Sequence, residues 1–213
     1  MKALLTALAL VAAAAVLGGC FGSSPQPVYY SLEAPTAPAV RERRPLTVLV
    51  RRFGTRAPYD RSEIVYRTND LELRFYPYHL WAAPPGRMLS ETVASHLQRA
   101  RVVGFGSRDA AADYELLGQV TALEEKDVTE EDWRAHLAMR FQLVETRTGR
   151  VVWEHAFDEE KKVAERKPRA VVAAMDAILD EQLEGLTAAL DGYLASVEQA
   201  RGVPVGDARE DAP

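Results

Sequence analysis

Trp133-Arg134-Ala135-His136-Leu137-Ala138-Met139-Arg140-Phe141-Gln142-Leu143-Val144-Glu145, and the returning run after Arg147-Thr148-Gly149, decide the fold. In the first run Trp133, Ala135, Leu137, Met139, Phe141 and Leu143 alternate with Arg134, His136, Arg140 and Gln142. A period of two puts the apolar set on one face of a strand and leaves the other face mostly wet. Arg147-Thr148-Gly149 reads as a three-residue hairpin loop, with glycine where a positive φ is required. The return strand presents Val151, Trp153, His155 and Phe157 on one face. Pairing Thr146 with Arg150 sets Leu143 opposite Trp153 and Met139 opposite Phe157, which keeps the apolar faces together.

Upstream, Asp113 to Glu125 reads as a long strand leading into an acidic turn, Glu124 to Asp132, kept soluble by its charge. Glu63 to Arg67 and Leu71 to Tyr76 form a hairpin around Asn69-Asp70, with Leu71, Leu73 and Phe75 as its apolar face. Leu46 to Val50 is a nearly continuous apolar run, the pattern of a strand covered on both faces. Val28 to Leu32 is a short strand, and Ala34 to Pro45 a proline-rich connector. Two helices complete the set. One opens at Pro84-Pro85, carries Leu89, Val93 and Leu97, and ends by Gly104; the other runs from Pro168 to about Gln199. Gly185 and Gly192 in the second predict a bend or a close helix contact. The expected fold class is α/β, a two-layer domain with a mixed or antiparallel sheet and both helices on one face.

The N-terminus sets the location. Lys2 and the apolar run from Ala3 to Val16 have the form of a secretory signal peptide too short to span a bilayer. Leu17-Gly18-Gly19-Cys20 resembles the lipobox of bacterial lipoproteins, in which Cys20 is acylated and becomes the first mature residue. It is the single cysteine of the chain, so it has no partner for an internal disulfide. Gly22 to Pro27 is a linker of small residues and prolines. The chain therefore divides into a signal peptide (1–19), lipidated cysteine and linker (20–27), one domain (28–201) and a disordered tail (202–213). Phe21 is not the aspartate that retains lipoproteins at the inner membrane, and by that sorting rule the periplasmic face of the outer membrane is expected.

The formal net charge of −5 gives no reason to expect nucleic acid. Arg41, Arg43, Arg44, Arg51 and Arg52 cluster, but prolines and apolar residues interrupt them. No catalytic spacing emerges. His79, His96, His136 and His155 fall on separate elements, Gly104-Phe105-Gly106 lacks the rest of a dinucleotide fingerprint, and the acidic turn lacks a calcium loop's pattern. Neither cofactor nor metal is expected beyond the covalent lipid on Cys20. The aromatic crowd from Tyr76 to Trp81 reads either as a core corner capped by Trp81 or as a protein-contact surface.

Tyr29-Tyr30-Ser31-Leu32 after the lipobox, Tyr59-Asp60-Arg61 leading into Ile64-Val65-Tyr66-Arg67, Trp81 with its prolines and helix, Asp113-Tyr114-Glu115-Leu116 and the Thr148-Gly149 hairpin occur in a telling order. In that order the chain resembles the ABC-type transport auxiliary lipoproteins, also called PqiC-like lipoproteins. The resemblance implies a non-enzymatic outer-membrane subunit of an MCE-type lipid transport system, working with an inner-membrane ABC transporter and a periplasmic MCE protein. Tyr59, Arg61 and Trp81 are the expected partner-contact residues. A homo-oligomer stays open, as do two rival functions: a structural envelope lipoprotein and a periplasmic hydrolase.

Overall fold

The protein is described here from a computed structural model covering residues 25–36, 38–39, 45–69, 71–102, 112–129 and 131–202. Cys20, Gly104 and the segments expected as signal peptide and tail beyond Gly202 lie outside these residues. Among them run β1 (Val28–Tyr30), β2 (Val48–Val50), β3 (Gly54–Thr55), a 3-10 turn (Ala57–Tyr59), β4 (Glu63–Arg67), β5 (Leu73–Trp81) and α1 (Pro85–Arg99). They are followed by β6 (Tyr114–Asp127), β7 (Trp133–Glu145), β8 (Arg150–Lys162) and α2 (Pro168–Arg201). The strands make one mixed sheet in the order β1-β5-β4-β6-β7-β8. The two-layer α/β expectation holds.

Strand β6 is the spine. One edge pairs antiparallel with β7 along its whole length, while β2, β3 and β4 lie end to end along the other, all parallel to it. Alternation decides the layers. Ala135, Leu137, Met139, Phe141 and Leu143 are all fully or almost fully buried against the helices. Helix α2 covers β7 and β8, and α1 covers β6 with β2 and β3. The expected stripe of α1, Leu89, Val93 and Leu97, supplies the helix side together with Val171, Met175, Ile178, Leu179, Leu183, Leu186, Leu190 and Leu194 of α2. Burying a side chain of this size contributes about 1.5–3 kcal/mol. The ring of Phe53 lies flat on Gly118 of β6 and edge-on to Phe141, so any side chain at Gly118 would overlap that ring.

The β7–β8 hairpin corrects the expected closure by one residue. Glu145 pairs with Arg150, and a bulge that advances two residues on β8 against one on β7 restores the expected Leu143–Trp153 and Met139–Phe157 pairs. Val151 falls within the bulge and is exposed, not core-facing. Gly149 does take a positive φ, +69°, with its N–H donating to Glu145 O at 2.8 Å.

Other expectations shift in instructive ways. Only Val48 and Leu46 of the β2 region are buried, with Leu49 and Val50 half-buried, because the face away from the helices has no second layer. Of the apolar face expected here, Leu71 before β5 and Phe75 in it are exposed and only Leu73 packs, half-buried, against the core, while Tyr76 turns toward the core. That strand runs on through Pro77 to Trp81, with five steps on β5 matched by two on β4 between the Phe75–Val65 and Leu80–Glu63 pairs. So large a bulge defeats simple alternation. A Cβ at Gly185 or Gly192 would meet nothing within 4 Å, so neither marks a close helix contact. Helix α1 ends at Arg99, ahead of Gly104.

The connector after β1 is no loose linker at its start. Leu32 and Ala34 are fully buried, and the backbone N–H groups of Glu33 and Ala34 donate to Asp176 Oδ1 at 2.8 and 3.0 Å. Thr36 N–H donates to Asp180 Oδ1 at 3.0 Å, and Ala39 N–H to Glu184 Oε2 at 3.4 Å. Three carboxylates spaced four apart on α2 thus take up the donors of an extended strap, which Thr92 of α1 holds from the other side through Leu32 O.

Candidate functional site

Away from the helices the sheet is open, and its polar side chains converge at one place. Alternation from the buried positions places Glu124 of β6, His136 of β7, Asp158 of β8 and Arg67 of β4 on this face. Glu124 is the surprise. It and Glu125 lie in β6, as the strand expected to Glu125 has them, and both are buried, where an acidic turn starting at Glu124 would leave them solvated. Arg67 donates to Glu124 Oε2 through Nη2 at 3.1 Å and Nε at 3.2 Å, and Tyr59 Oη donates to the same oxygen at 2.9 Å. His136 Nδ1 stands 3.2 Å from Glu124 Oε1 and Nε2 stands 2.7 Å from Asp158 Oδ1. With an acceptor at each ring nitrogen, the arrangement suits a doubly protonated imidazolium.

Burial alone would lower the pKa of His136, but its hydrogen bonds to Glu124 and Asp158 outweigh this and raise it. Burial alone would raise that of Glu124, and the bonds from His136, Arg67 and Tyr59 outweigh it in the other direction. The Tyr59 phenol is pushed up, first by burial and then by the Glu124 charge beside it. Every group of the cluster is engaged by its neighbours. It fixes the 3-10 turn and four strands to one another, each titratable group being held by another of the cluster.

Around this clamp runs a cleft of about 760 Å³, continuous through Gln119, Arg140 and Ala156 with a second of about 680 Å³. Arg56, Arg140, Gln119 and Gln142 line it beside Leu117. Arg56 donates to Thr121 O at 3.4 Å. The cleft thus sets guanidinium and amide groups over a rigid floor, with Glu154 in the same lining and accepting from Gln142 Nε2 at 2.6 Å.

The helix-facing side carries a second acid. Glu125 is fully buried and accepts from Tyr76 Oη at 3.0 Å, in an aromatic row where Tyr76 meets Tyr66 and His79, and His79 stacks on Tyr30. Burial, reinforced by the adjacent Asp127 carboxyl, pushes the pKa of Glu125 up. The folded state therefore holds a proton that the unfolded chain releases nearer 4.5. Stability is fully present below that pH and falls as pH rises through the folded value. Glu125→Gln, which mimics the protonated form, is expected to raise the melting temperature at pH 7–8, equivalent to about 1 kcal/mol, with the gap closing below pH ~4.5. A thermal scan series across pH checks this; a variant less stable than the native chain at pH 8 would show that the carboxylate is the favoured form.

Of the three residues expected at a partner contact, Tyr59 and Trp81 are 4% and 3% exposed, so both serve the interior. Tyr59 is drawn in by Glu124. Trp81 closes the corner between β1, β5 and the turn before β4, its backbone N–H donating to Ser62 O at 2.6 Å. Arg61 is partly exposed, with its guanidinium 3.3 Å from the centre of the Phe75 ring and its Nε 3.2 Å from Glu63 Oε2. The four histidines remain on separate elements. His96 is buried on α1, where burial lowers its pKa, and His155 stacks on Trp153.

Residues 30–185, which run from the end of β1 through β8 and the first half of α2, match the family model described as ABC-type transport auxiliary lipoprotein component. The chain belongs to this family. Among solved structures, the lipoprotein domain is similar to a Xanthomonas campestris protein assigned to family model DUF330. The two share 22% identity and a TM-score of 0.65, over 79% of this chain and 99% of that one. It is also similar to an uncharacterized protein at 17% identity and a TM-score of 0.58, over 80% and 99%. Both show a shared fold. A search of curated proteins finds no match.

Proposed function

We propose that this lipoprotein is held by acyl chains on Cys20 at the periplasmic face of the outer membrane. There it serves an MCE-type intermembrane lipid transport system by docking the periplasmic MCE component. Family membership supports a role beside an ABC-type transporter. The observation that carries the docking role is the cleft on the open sheet face, where Arg56, Arg140, Gln119 and Gln142 surround a clamp whose own groups are all engaged. Such a site suits binding more than transformation, because His136 has a carboxylate at each nitrogen and the Tyr59 hydroxyl is held in a hydrogen bond it donates to Glu124. A non-enzymatic role follows from that reading. Anchoring by more than one acyl chain is sufficient to hold the domain, each buried methylene contributing about 0.8 kcal/mol.

We assign docking to the cleft and not to Tyr59, Arg61 and Trp81, since two of these are interior and the third is occupied by Phe75 and Glu63. Arg140 is an exposed residue of β7. Arg140→Glu should leave the melting temperature within a degree or two, as surface changes away from special features stay within about 0.5 kcal/mol. It should also sharply reduce the MCE protein that co-purifies with the lipoprotein from crosslinked cells. Undiminished capture by Arg140→Glu would remove the cleft from the docking role.

A further inference from the structure

The outer edge of β5 is unpaired over most of its length. Strand β1 covers only His79, Leu80 and Trp81, which leaves Leu73 to Tyr78 without a neighbour among the described residues. Apolar side chains collect along this rim: Leu71 is 94% exposed, Tyr29 62%, Val28 44%, Tyr78 41% and Phe75 37%. They lie on β1, on β5 and in the turn that begins β5, so they follow one border of the sheet. Arg61 reaches over Phe75, and a hollow of about 480 Å³ beside Tyr29 is lined by Asp60 and Arg61 together with Leu80 and Trp81.

Register tells where the tether enters. Because β1 runs parallel to β5 with Val28 opposite His79, the residues before Val28 head back toward the start of β5, the end that carries Phe75 and Leu71. Cys20 is eight positions before Val28. Fully extended, that stretch spans about 28 Å, and as a flexible coil nearer 16 Å. The rim is thus the part of the domain that a membrane-anchored cysteine brings first to the bilayer.

From these observations we infer that the β1–β5 rim lies against the lipid surface, with Leu71, Phe75, Tyr78 and Tyr29 seated among the headgroups. The inference rests on the anchoring of Cys20 proposed above and adds an orientation to it. Tyrosine suits this depth, because its ring is apolar and its hydroxyl stays wet. A bilayer also answers the problem of an open edge, which Pro77 and the charged Arg74 blunt only in part. With this rim down, the cleft beside Arg140 on β6, β7 and β8 stays clear of the membrane and open to the periplasm.

The test uses the full lipidated chain in vesicles of phosphatidylethanolamine and phosphatidylglycerol. Because acylation occupies the sulfur of Cys20, a cysteine introduced by Leu71→Cys, Tyr78→Cys or Val151→Cys is the one thiol open to an environment-sensitive fluorophore. Val151 is 47% exposed on the far side of the sheet and serves as the reference. Labels at 71 and 78 should emit several-fold more strongly and at shorter wavelength than the label at 151, and should be quenched by brominated lipid. Chains that float with the vesicles yet give the same water-like emission at all three positions would overturn the resting surface while leaving the anchor in place. Chains that do not float would overturn both.

Discussion

Arg67→Ala is expected to cost the domain about 3 kcal/mol, read as a lower denaturant midpoint at pH 7 with an unchanged slope. The argument lies in what remains. Glu124 keeps 4% side-chain exposure and would retain its charge with one cation partner, His136, in place of two. Breaking a buried pair from one side strands an ion where water cannot replace the lost partner, and costs of 3–5 kcal/mol are typical. Arg67 is itself 20% exposed, which places the expectation at the lower end. Removing the charge as well, in Arg67→Met with Glu124→Gln, should recover a large part of the loss, since the stranded ion accounts for most of it. A double variant as unstable as the sum of the single changes would mean that the cluster acts through packing alone.

Trp81→Ala is expected to do more, about 3–5 kcal/mol, because it empties the corner on which β1, β5 and the turn before β4 close. Domains of this kind are stable by only about 5–15 kcal/mol, so the variant should sit near its unfolding transition at 37 °C. Urea denaturation followed by circular dichroism is the direct reading. Trp81→Phe, which keeps a ring in the corner, should lose much less. If Trp81→Ala melted like the native chain, the ring would have to be a surface group after all, and the contact role considered for it from the sequence would return.

Much of this was legible in the residues alone. The β7–β8 hairpin shows a period of two long enough to fix the strands and their facing pairs, and only the loop closure slipped, because a bulge inside β8 leaves no mark in the hydrophobic pattern. Both helices show their stripes. Glu124 and Glu125 were misread for a physical reason: two adjacent acids next to a turn look solvated, and what buries them comes from Tyr59, Arg67 and Tyr76, about 50 to 65 positions earlier in the chain. The strand reading to Glu125 holds, and it is the burial of the pair that leaves no local mark. Phe75 misled in the opposite sense, since alternation predicts a face but not which face meets the core, and the bulge around Pro77 resets the phase of β5. The strap along α2 escaped because Asp176, Asp180 and Glu184 also look like an ordinary solvated helix face.

The docking role stands or falls on contact in living cells, which a photo-crosslinking residue at position 142, within the cleft, reads directly. With the lipoprotein, the ABC transporter and the MCE protein all expressed, illumination should yield an adduct containing the MCE protein from position 142. The same residue placed at position 29 on the lipid-facing rim should yield none. Adducts from neither position that contain any component of the transport system would contradict the assignment and leave the lipoprotein a structural element of the envelope.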